Sequence, residues 1–403
     1  MNETPATVHA LIQLPPFDGS GDAFHPLNLK IYGLTLLERT MRALERAGVS
    51  HATLLCSGGG VAAAAGKLIK KTAPWKLTFD IAEGKSPDDV LTGLPADGGV
   101  LKVAEPVVPD PAIPRQMIES GSGLIRTEDG LLTFAVTPAR LRQKDGPAAA
   151  LFPVKEGALY YRVHNQKELR LVKKALRRSL VKPTDGWVSR HLNRPISISV
   201  SRVLAHTAIT PNQFTVFTGL LGVLAAWLLA QGPYWGFMLG ALLFHLASVL
   251  DGVDGELARL KFKASLFGQW LDTLVDNSSY VLALAGFLAG LFRDGVSGFE
   301  KIAGILTLVF TALALSSMYY YLRRYNKGGS LLNIEYSYQE GKTPLDRLLK
   351  FLAPLGKRDL FALIFFAMGL AGQLHLALIF ITVLTAILFG LSIEAHQRMR
   401  RGR

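Results

Sequence analysis

Residues 251–276 read DGVDGELARLKFKASLFGQWLDTLVD, a charged segment between two apolar stretches. The flanking stretches, 234–250 and 280–292, are long and apolar enough to be membrane helices. The sequence therefore predicts a membrane domain in which acidic side chains lie at the ends of two consecutive helices.

Helical spacing places the polar residues of this segment on single faces, because positions i, i+3, i+4, i+7 and i+8 form one stripe. From residue 251, the stripe holds two carboxylates, two very small residues and a guanidinium: Asp251, Asp254, Gly255, Ala258 and Arg259. On the next helix Gly268, Asp272 and Asp276 share a face. Four acids that face each other near a membrane surface cannot all stay ionised without a counter-charge. The pattern predicts a divalent metal site, which phosphate oxygens of a substrate would complete.

The same residues follow the pattern D-x2-D-G-x2-A-R-x8-G-x3-D-x3-D without a deviation, with eight fixed identities in 26 residues. This resembles the signature of the CDP-alcohol phosphotransferase (CDP-alcohol phosphatidyltransferase) family. These membrane enzymes move a phosphoalcohol from a CDP-linked donor onto a second alcohol and release CMP. Helix-end carboxylates that only solvate a loop would not require one-face spacing or small residues beside the acids. The resemblance implies a metal-dependent membrane phosphotransferase.

The resemblance also implies a role for each motif residue. Two divalent ions, Mg²⁺ or Mn²⁺, would neutralise the diphosphate of the donor and the leaving CMP. The implied metal ligands are the four acids Asp251, Asp254, Asp272 and Asp276, and Asp276 is also the implied general base. The implied contacts to the CDP group are Gly255, Ala258, Arg259 and Gly268.

The acceptor alcohol is less well defined by the sequence. Family members that use inositol phosphate commonly carry an arginine after the last aspartate, and this chain has Asn277 there. Lys261, Lys263 and Arg323 are alternative candidates to bind an acceptor phosphate, although basic residues at such positions are also ordinary topology signals. A polyol or polyol phosphate acceptor is favoured by the fused N-terminal domain. The alternatives are a phospholipid synthase that uses CDP-diacylglycerol and a membrane scaffold that has kept the fold without catalysis.

Six membrane spans are predicted in the C-terminal domain, residues 212–403. Their approximate bounds are 212–231, 234–259, 266–292, 299–323, 358–374 and 376–394. Lysine and arginine accumulate in the loops on one side, which predicts that this side is cytoplasmic. Six spans return the C-terminus to the side of the N-terminal domain. Both termini and the active site are therefore expected on the cytoplasmic face of an inner (plasma) membrane.

Composition agrees with a membrane protein, since 49% of the 403 residues are hydrophobic and the net charge is +13. Basic clusters lie beside the hydrophobic segments, which favours anionic membrane lipids as partners and not nucleic acid. Cys56 is the only cysteine, and the apolar run before it predicts a buried core position. The N-terminus lacks the features of a signal peptide, so the N-terminal domain is expected to be cytoplasmic.

The N-terminal domain, residues 1–150, is predicted to be a three-layer α/β domain with a largely parallel sheet. Strands are predicted at 8–14, 49–56 and 99–103, and a helix at 35–48 that ends at a glycine cap. The helix resembles one in sugar-nucleotidyltransferase-like domains. The whole chain resembles proteins that fuse an inositol-phosphate cytidylyltransferase to a CDP-inositol phosphotransferase.

The nucleotide site of that N-terminal family is expected to be degenerate in this chain. The family has a glycine-rich turn with an arginine after the first strand, whereas residues 15–22 read PPFDGSGD. A metal-binding aspartate is expected where Ala104, Glu105 and Pro106 stand, and Glu105 is an alternative acid. The prediction is a nucleotidyltransferase-like fold without that chemistry.

Residues 151–211 are predicted to be a basic linker and a juxtamembrane helix. The segment 166–182 reads as a basic amphipathic helix that faces either solvent or anionic headgroups. Trp187, Arg190 and Arg194 suit a helix in the interfacial plane. Thr210 is the predicted N-cap of the first membrane helix, with proline at its first position. A homodimer is implied by the resemblance alone.

Overall fold

The structure is a computed structural model of the 403-residue chain. The residues it describes are 8–16, 23–93, 99–120, 123–126, 132–138, 160–293, 295–325, 334, 336 and 344–401. The chain divides into two compact units, Met1–Leu180 and Val181–Arg403. The predicted domain boundary near residue 150 lies outside the described residues.

The first unit contains a six-stranded sheet. Its strands and those of two small two-stranded sheets are β1 Val8–Gln13, β2 Lys30–Ile31, β3 Leu34–Thr35, β4 His51–Cys56, β5 Thr78–Glu83, β6 Gly99–Val103, β7 Val108–Pro109, β8 Gly123–Arg126, β9 Leu132–Pro138 and β10 Tyr160–Tyr161. The main sheet has the order β5-β4-β1-β6-β9-β8. The first four of these strands run parallel to one another. Strand β9 runs antiparallel to both of its neighbours, β6 and β8. The predicted α/β class with a largely parallel sheet is confirmed.

Three of the five helices described in this unit (the first, second and fourth) contribute apolar side chains to the core that the sheet also lines. The five helices are α1 Leu36–Ala47, α2 Gly59–Thr72, α3 Pro87–Thr92, α4 Ala112–Ser120 and α5 Gln166–Leu180. In α1, the Thr35 side chain accepts a hydrogen bond from the Glu38 backbone N–H, and Gly48 ends the helix at a φ of 100°. This left-handed conformation favours glycine, so the predicted cap has a direct physical reason.

Helix α5 covers most of the predicted basic linker helix, and it packs within the first unit. Its side chains Leu169, Val172 and Leu176 are buried, and the Tyr32 hydroxyl donates a hydrogen bond to the Lys173 carbonyl oxygen at 3.1 Å. The apolar face of α5 is therefore occupied by protein. The predicted linker 151–211 is divided between the two units at residue 180.

Two predictions for the N-terminal domain concern single residues. Cys56 is buried, and burial together with the nearby Glu83 carboxylate raises the pKa of its thiol to about 11, as expected for a core position. Glu105 forms ion pairs with Arg162 at 2.5 Å and His164 at 3.0 Å. This carboxylate is already paired with two basic side chains, which argues against the alternative that it replaces a metal-binding aspartate. Residues 17–22 of the predicted nucleotide turn lie outside the described residues.

The second unit is helical. Its helices are α6 Arg194–Leu204, α7 Pro211–Ala230, α8 Pro233–Leu250, α9 Gly252–Leu260, α10 Leu266–Arg293, α11 Gly298–Arg324, α12 Pro344–Leu352, α13 Arg358–Leu370 and α14 Leu374–Arg401. By length and composition, five helices of the described residues can cross a membrane: Pro211–Ala230, Tyr234–Leu260, Leu266–Arg293, Gly298–Arg324 and Leu374–Arg400. The second unit is therefore the membrane-embedded part of an integral membrane protein.

The helix at the predicted span 358–374 is shorter than predicted, and a count of six spans is not confirmed. The corresponding helix α13 has 13 residues. Its length is about 20 Å, whereas the hydrocarbon core of a bilayer is about 30 Å thick. The helix ends before Gly372, whose φ of 65° is left-handed and stops the helical hydrogen-bond ladder.

The first membrane helix, α7, begins as predicted. Thr210 is its N-cap, the side chains and backbones of Thr210 and Gln213 form a reciprocal capping box, and Pro211 is the first helical residue. Helix α7 packs along α10 through glycines, and a β-carbon on Gly286 would overlap the carbonyl oxygen of Ala226. Small residues allow this close backbone approach, which is typical of membrane helix pairs.

The position of Arg194 in the juxtamembrane segment differs from the predicted one in the interfacial plane. This residue is buried in the second unit, where its guanidinium donates to both carboxylate oxygens of Asp185 and to Glu256. Burial alone would lower the pKa of Arg194, but the hydrogen bonds that it donates to the two carboxylates raise it above its ordinary value. An arginine that lies in the interfacial plane would be hydrated. Here Arg194 instead attaches the juxtamembrane segment to α9.

We expect Gly286→Ala to lower the thermal unfolding temperature of the detergent-purified protein by several degrees. The added methyl group has no space against the α7 backbone, and overpacking of this kind costs about 1–3 kcal/mol. Scanning fluorimetry measures the change. Gly298→Ala is the control, because a β-carbon there meets no atom within 4 Å. Equal unfolding temperatures for the two variants would contradict the close α7–α10 contact.

Candidate metal centre and active site

The four predicted acids lie where α8, α9 and α10 meet. Asp251 occupies the break between α8 and α9, and its backbone N–H still donates to the Ala247 carbonyl at 2.9 Å. Asp254 lies in the first turn of α9, while Asp272 and Asp276 lie one turn apart in the N-terminal half of α10. The predicted one-face spacing therefore brings acids of both helical segments to the same end of the bundle.

Asp251, Asp272 and Asp276 form a compact cluster. Each offers one carboxylate oxygen, these oxygens lie within 4.8 Å of one another, and all three residues are half-buried. Carboxylate oxygens suit hard cations such as Mg²⁺ and Mn²⁺, and the absence of nitrogen or sulfur donors from this set fits them better than zinc. The chemistry of the residues therefore fits a divalent metal ion.

Asp254 lies apart from this three-residue cluster. One of its carboxylate oxygens accepts a hydrogen bond from the Thr215 hydroxyl of α7 at 2.5 Å. The other accepts from the Gly255 backbone N–H at 2.5 Å, and the residue is only 8% exposed. The orientation of the Asp254 carboxylate is thus fixed by the first membrane helix, which the sequence pattern did not indicate.

Arg358 is a further residue of the site that the motif did not predict. Its Nη1 donates to Asp251 Oδ1 at 2.8 Å and also to Asp276 Oδ1. Its guanidinium carbon lies 5.3 Å from the ring centroid of Tyr280, within the range of a cation–π contact. In sequence Arg358 is indistinguishable from the basic residues that indicate the cytoplasmic side. The usable signal was an arginine at the first position of an apolar helix, in a domain whose motif places four acids near the membrane surface.

The residues predicted to contact CDP occupy two places. Gly255, Ala258 and Arg259 lie on α9, and a β-carbon on Gly255 would meet only the Arg259 Nη1 at 3.5 Å. This face therefore has space beside the glycine. At Gly268, by contrast, a β-carbon would lie 3.0 Å from the Asn212 Oδ1. Gly268 permits the close approach of α10 to the start of α7.

The three predicted acceptor residues do not gather at the aspartates. Lys261 donates from Nζ to the carbonyl oxygens of Thr207 at 2.8 Å and Ile209 at 2.7 Å, and it is 8% exposed. Its ammonium group therefore holds the turn before α7, and its predicted role as a phosphate ligand stays a prediction. Lys263 and Arg323 are exposed, and among the described residues no hydrogen bond or ion pair joins either of them to the four acids.

Two cavities of the second unit lie next to the cluster. A polar cavity of about 400 Å³ is lined by four basic side chains and three acidic ones: Lys182, Arg194, Lys357 and Arg358, and Asp185, Asp251 and Asp359. An apolar cavity of about 340 Å³ begins at Asn277 and Tyr280 and continues between the aromatic and aliphatic side chains of the bundle. The site therefore has one neighbour suited to an anion and another suited to a hydrocarbon group.

Residues 208–391 match the family model described as CDP-alcohol phosphatidyltransferase. This part of the chain is therefore a CDP-alcohol phosphatidyltransferase domain, and it contains all four acids of the predicted signature. The resemblance stated from the sequence is confirmed for the C-terminal part.

Three relatives carry the name "Bifunctional IPC transferase and DIPP synthase". The protein of Thermococcus kodakarensis is 42% identical over 128 residues, which is 30% of this chain and 28% of that protein. The protein of Aquifex aeolicus is 34% identical over 236 residues, 58% of this chain and 50% of that protein. The protein of Rubrobacter xylanophilus is 28% identical over 339 residues, 70% of this chain and 77% of that protein. The chain thus spans half or less of the length of the first two relatives.

We expect Thr215→Val to weaken Mn²⁺ binding by about tenfold, because residues that orient metal-binding carboxylates contribute about 10–100-fold to affinity. The substitution keeps the side-chain shape and removes the hydroxyl that holds Asp254. Electron paramagnetic resonance of free Mn²⁺ measures the affinity in detergent. Thr218→Val is the matched control, because within the described part of the chain the Thr218 hydroxyl bonds only to the Thr215 carbonyl oxygen. An equal effect of both substitutions would argue against a role of Asp254 at the metal site.

Proposed function

We propose that the domain at 212–403 transfers a phosphoalcohol group from a CDP-alcohol to an acceptor alcohol and releases CMP. The observation that carries the proposal is the convergence of Asp251, Asp272 and Asp276 within 4.8 Å in a domain of this family. Asp254, which Thr215 orients one helical turn from Asp251, completes the proposed four-carboxylate set. Two divalent ions, Mg²⁺ or Mn²⁺, are the proposed cofactors.

The proposed reaction balances as a phosphoryl-group substitution. The acceptor hydroxyl oxygen forms a bond to the phosphorus atom that carries the donor alcohol, and the bond from this phosphorus to the CMP oxygen breaks. Asp276 accepts the proton of the acceptor hydroxyl. Bound divalent ions supply charge neutralisation for the diphosphate and the leaving CMP.

The remaining motif residues are proposed to bind the donor. Gly255 and Ala258 leave space on α9 for the cytidine and ribose, and Arg259 provides a guanidinium for a phosphate oxygen. Gly268 contributes by allowing α10 to approach α7 closely, which holds Asp272 in position.

A polyol or polyol phosphate is the favoured acceptor. The polar cavity beside Asp251 is lined by Lys182, Lys357 and Arg358, which suits a phosphorylated polyol better than a neutral lipid. We therefore propose Arg358 and Lys357 as the acceptor-binding residues, in place of Lys261. The names of the relatives, IPC transferase and DIPP synthase, agree with a phosphorylated substrate class.

A phospholipid synthase that uses CDP-diacylglycerol is the second candidate function. The observation that favours it is the apolar cavity beside Asn277 and Tyr280, which is large enough for part of a hydrocarbon chain. In this alternative the lipid chains of the donor enter the bundle and the polyol phosphate still occupies the polar cavity. Product mass distinguishes the two functions, because only the second yields a lipid.

We propose that α13 makes a sixth membrane crossing. It begins with Arg358 at Asp251, and the carbonyl of its last residue, Leu370, accepts a hydrogen bond from the Tyr234 hydroxyl at 3.1 Å. Tyr234 and Asp251 lie at opposite ends of α8, so α13 accompanies α8 over most of its length. We further propose that both termini and the acids lie on the cytoplasmic side of an inner membrane, in contact with membrane lipids; an even number of crossings and the Lys/Arg bias of the loops support this.

We also propose that the N-terminal domain is a three-layer, nucleotidyltransferase-like domain that no longer makes CDP-alcohol. The ion pairs of Glu105 with Arg162 and His164 support this proposal, because they engage the acid that could have replaced the missing aspartate. The functional division of the chain is then 1–150, 151–211 and 212–403. A homodimer remains a proposal from the resemblance.

We expect the purified protein to release CMP from a CDP-alcohol in the presence of Mg²⁺ or Mn²⁺. Asp276→Asn should reduce this release at least about a hundredfold, because general acid–base catalysis contributes about 10²–10⁴-fold. Chromatography of CMP and mass spectrometry of the product measure the reaction with candidate polyols, polyol phosphates and lipid donors. Glu300→Gln is the control, because Glu300 caps α11 away from the cluster and glutamine preserves that cap. A folded wild-type protein that releases no CMP would support the scaffold alternative.

The N-terminal proposal predicts that the full chain releases no pyrophosphate from CTP and a polyol phosphate. An enzyme-coupled pyrophosphate assay measures this, and a cytidylyltransferase serves as the positive control. Pyrophosphate release that depends on the first unit would contradict the degenerate site and show that the chain makes its own donor.

A further inference from the structure

Arg358 connects the aspartate cluster to the polar cavity. Its Nη1 donates to Asp251 and Asp276, whose carboxylate oxygens are among those that could hold a metal ion. The same residue lines the polar cavity of about 400 Å³. One guanidinium therefore borders both the proposed metal ligands and the space suited to an anionic substrate.

The present contacts of Arg358 use only part of its donor capacity. A guanidinium has five N–H donors in a planar fork. The Arg358 side chain is 15% exposed, and its Nε is buried without a hydrogen-bond partner among the described residues. A buried donor without a partner is unfavourable, and the oxygens of a phosphate group would satisfy it.

A divalent cation and the guanidinium would compete for the same two carboxylates. Both are positively charged, and two like charges in contact with the same carboxylates repel strongly in a partly buried site. Arg358 stands at the first position of α13, so its long side chain can turn toward the cavity while the helix stays in place. The neighbouring cavity residues Lys182 and Lys357 already form an environment for an anion.

We propose that Arg358 exchanges partners during substrate binding. Its guanidinium neutralises Asp251 and Asp276 until a divalent cation binds them, and it then turns into the polar cavity and binds a phosphate group of the substrate. Metal and phosphate therefore bind with positive coupling, and the coupling is reciprocal. This inference rests on the metal site of the proposed function and adds a positioning and binding role for a residue outside the motif.

The test is Mn²⁺ binding to the full-length protein in detergent, measured by electron paramagnetic resonance without and with inorganic phosphate. In Arg358→Gln the carboxylates lose their competing cation, so we expect Mn²⁺ to bind at least about fivefold more tightly without phosphate, as for a typical coupling. Phosphate should tighten Mn²⁺ binding to the wild-type protein and have no such effect in Arg358→Gln. Lys301→Gln is the control, because it removes a positive charge from an exposed position of α11 outside the cavity; it should retain the wild-type Mn²⁺ affinity.

Arg358→Lys keeps the charge and provides a second test if Arg358→Gln does not fold. A lysine ammonium still competes for Asp251 and Asp276, but it cannot bind a phosphate through two donors of a planar fork, so we expect a reduced phosphate effect on Mn²⁺ binding. Unchanged or weaker Mn²⁺ binding in folded Arg358→Gln, or an undiminished phosphate effect in either folded variant, would overturn the exchange. A wild-type protein that binds no Mn²⁺ would instead reject the proposed metal site.

Discussion

Mutual repulsion of three carboxylates is the constraint on which the membrane domain depends. The oxygens of Asp251, Asp272 and Asp276 lie within 4.8 Å of one another, which requires positive charge between them. Helix α7 holds both sides of the cluster, because it packs closely on α10 at Gly286 and on α8 at Gly240. Thr215 of the same α7 holds Asp254. The packing therefore forces the acids together, and Arg358 or metal ions must balance them.

A second buried charge network explains how the juxtamembrane segment supports this arrangement. Glu256 is fully buried on α9, between the positions of Asp254 and Arg259, and it accepts hydrogen bonds from Arg194, Ser197 and Ser201. Such a network is favourable only when every member is satisfied, and it then specifies one geometry. The segment before the first span thereby fixes α9, which carries Asp254 and directly follows Asp251. The fold and the charge distribution support each other at this end of the bundle.

The sequence was sufficient to predict features that depend on residues close together in the chain. One-face spacing indicated the convergence of Asp251, Asp272 and Asp276, and the capping residues Thr210 and Gly48 located the ends of helices. It was insufficient where a contact joins distant segments. Arg358 lies 82 residues from Asp276, and Arg194 lies 62 residues from Glu256, so no periodicity connects them. In the sequence, each of these arginines looks like one of the basic residues that mark the cytoplasmic side of a membrane protein. Only the tertiary fold shows that each is paired with acidic side chains.

The most direct test of the central claim is the position of bound Mn²⁺ in a crystal of the full-length protein, read from its anomalous scattering. The account predicts a peak between the carboxylates of Asp251, Asp272 and Asp276, with the Arg358 guanidinium displaced from them. An absent peak at saturating Mn²⁺, or a peak that contacts none of these acids, would contradict the account.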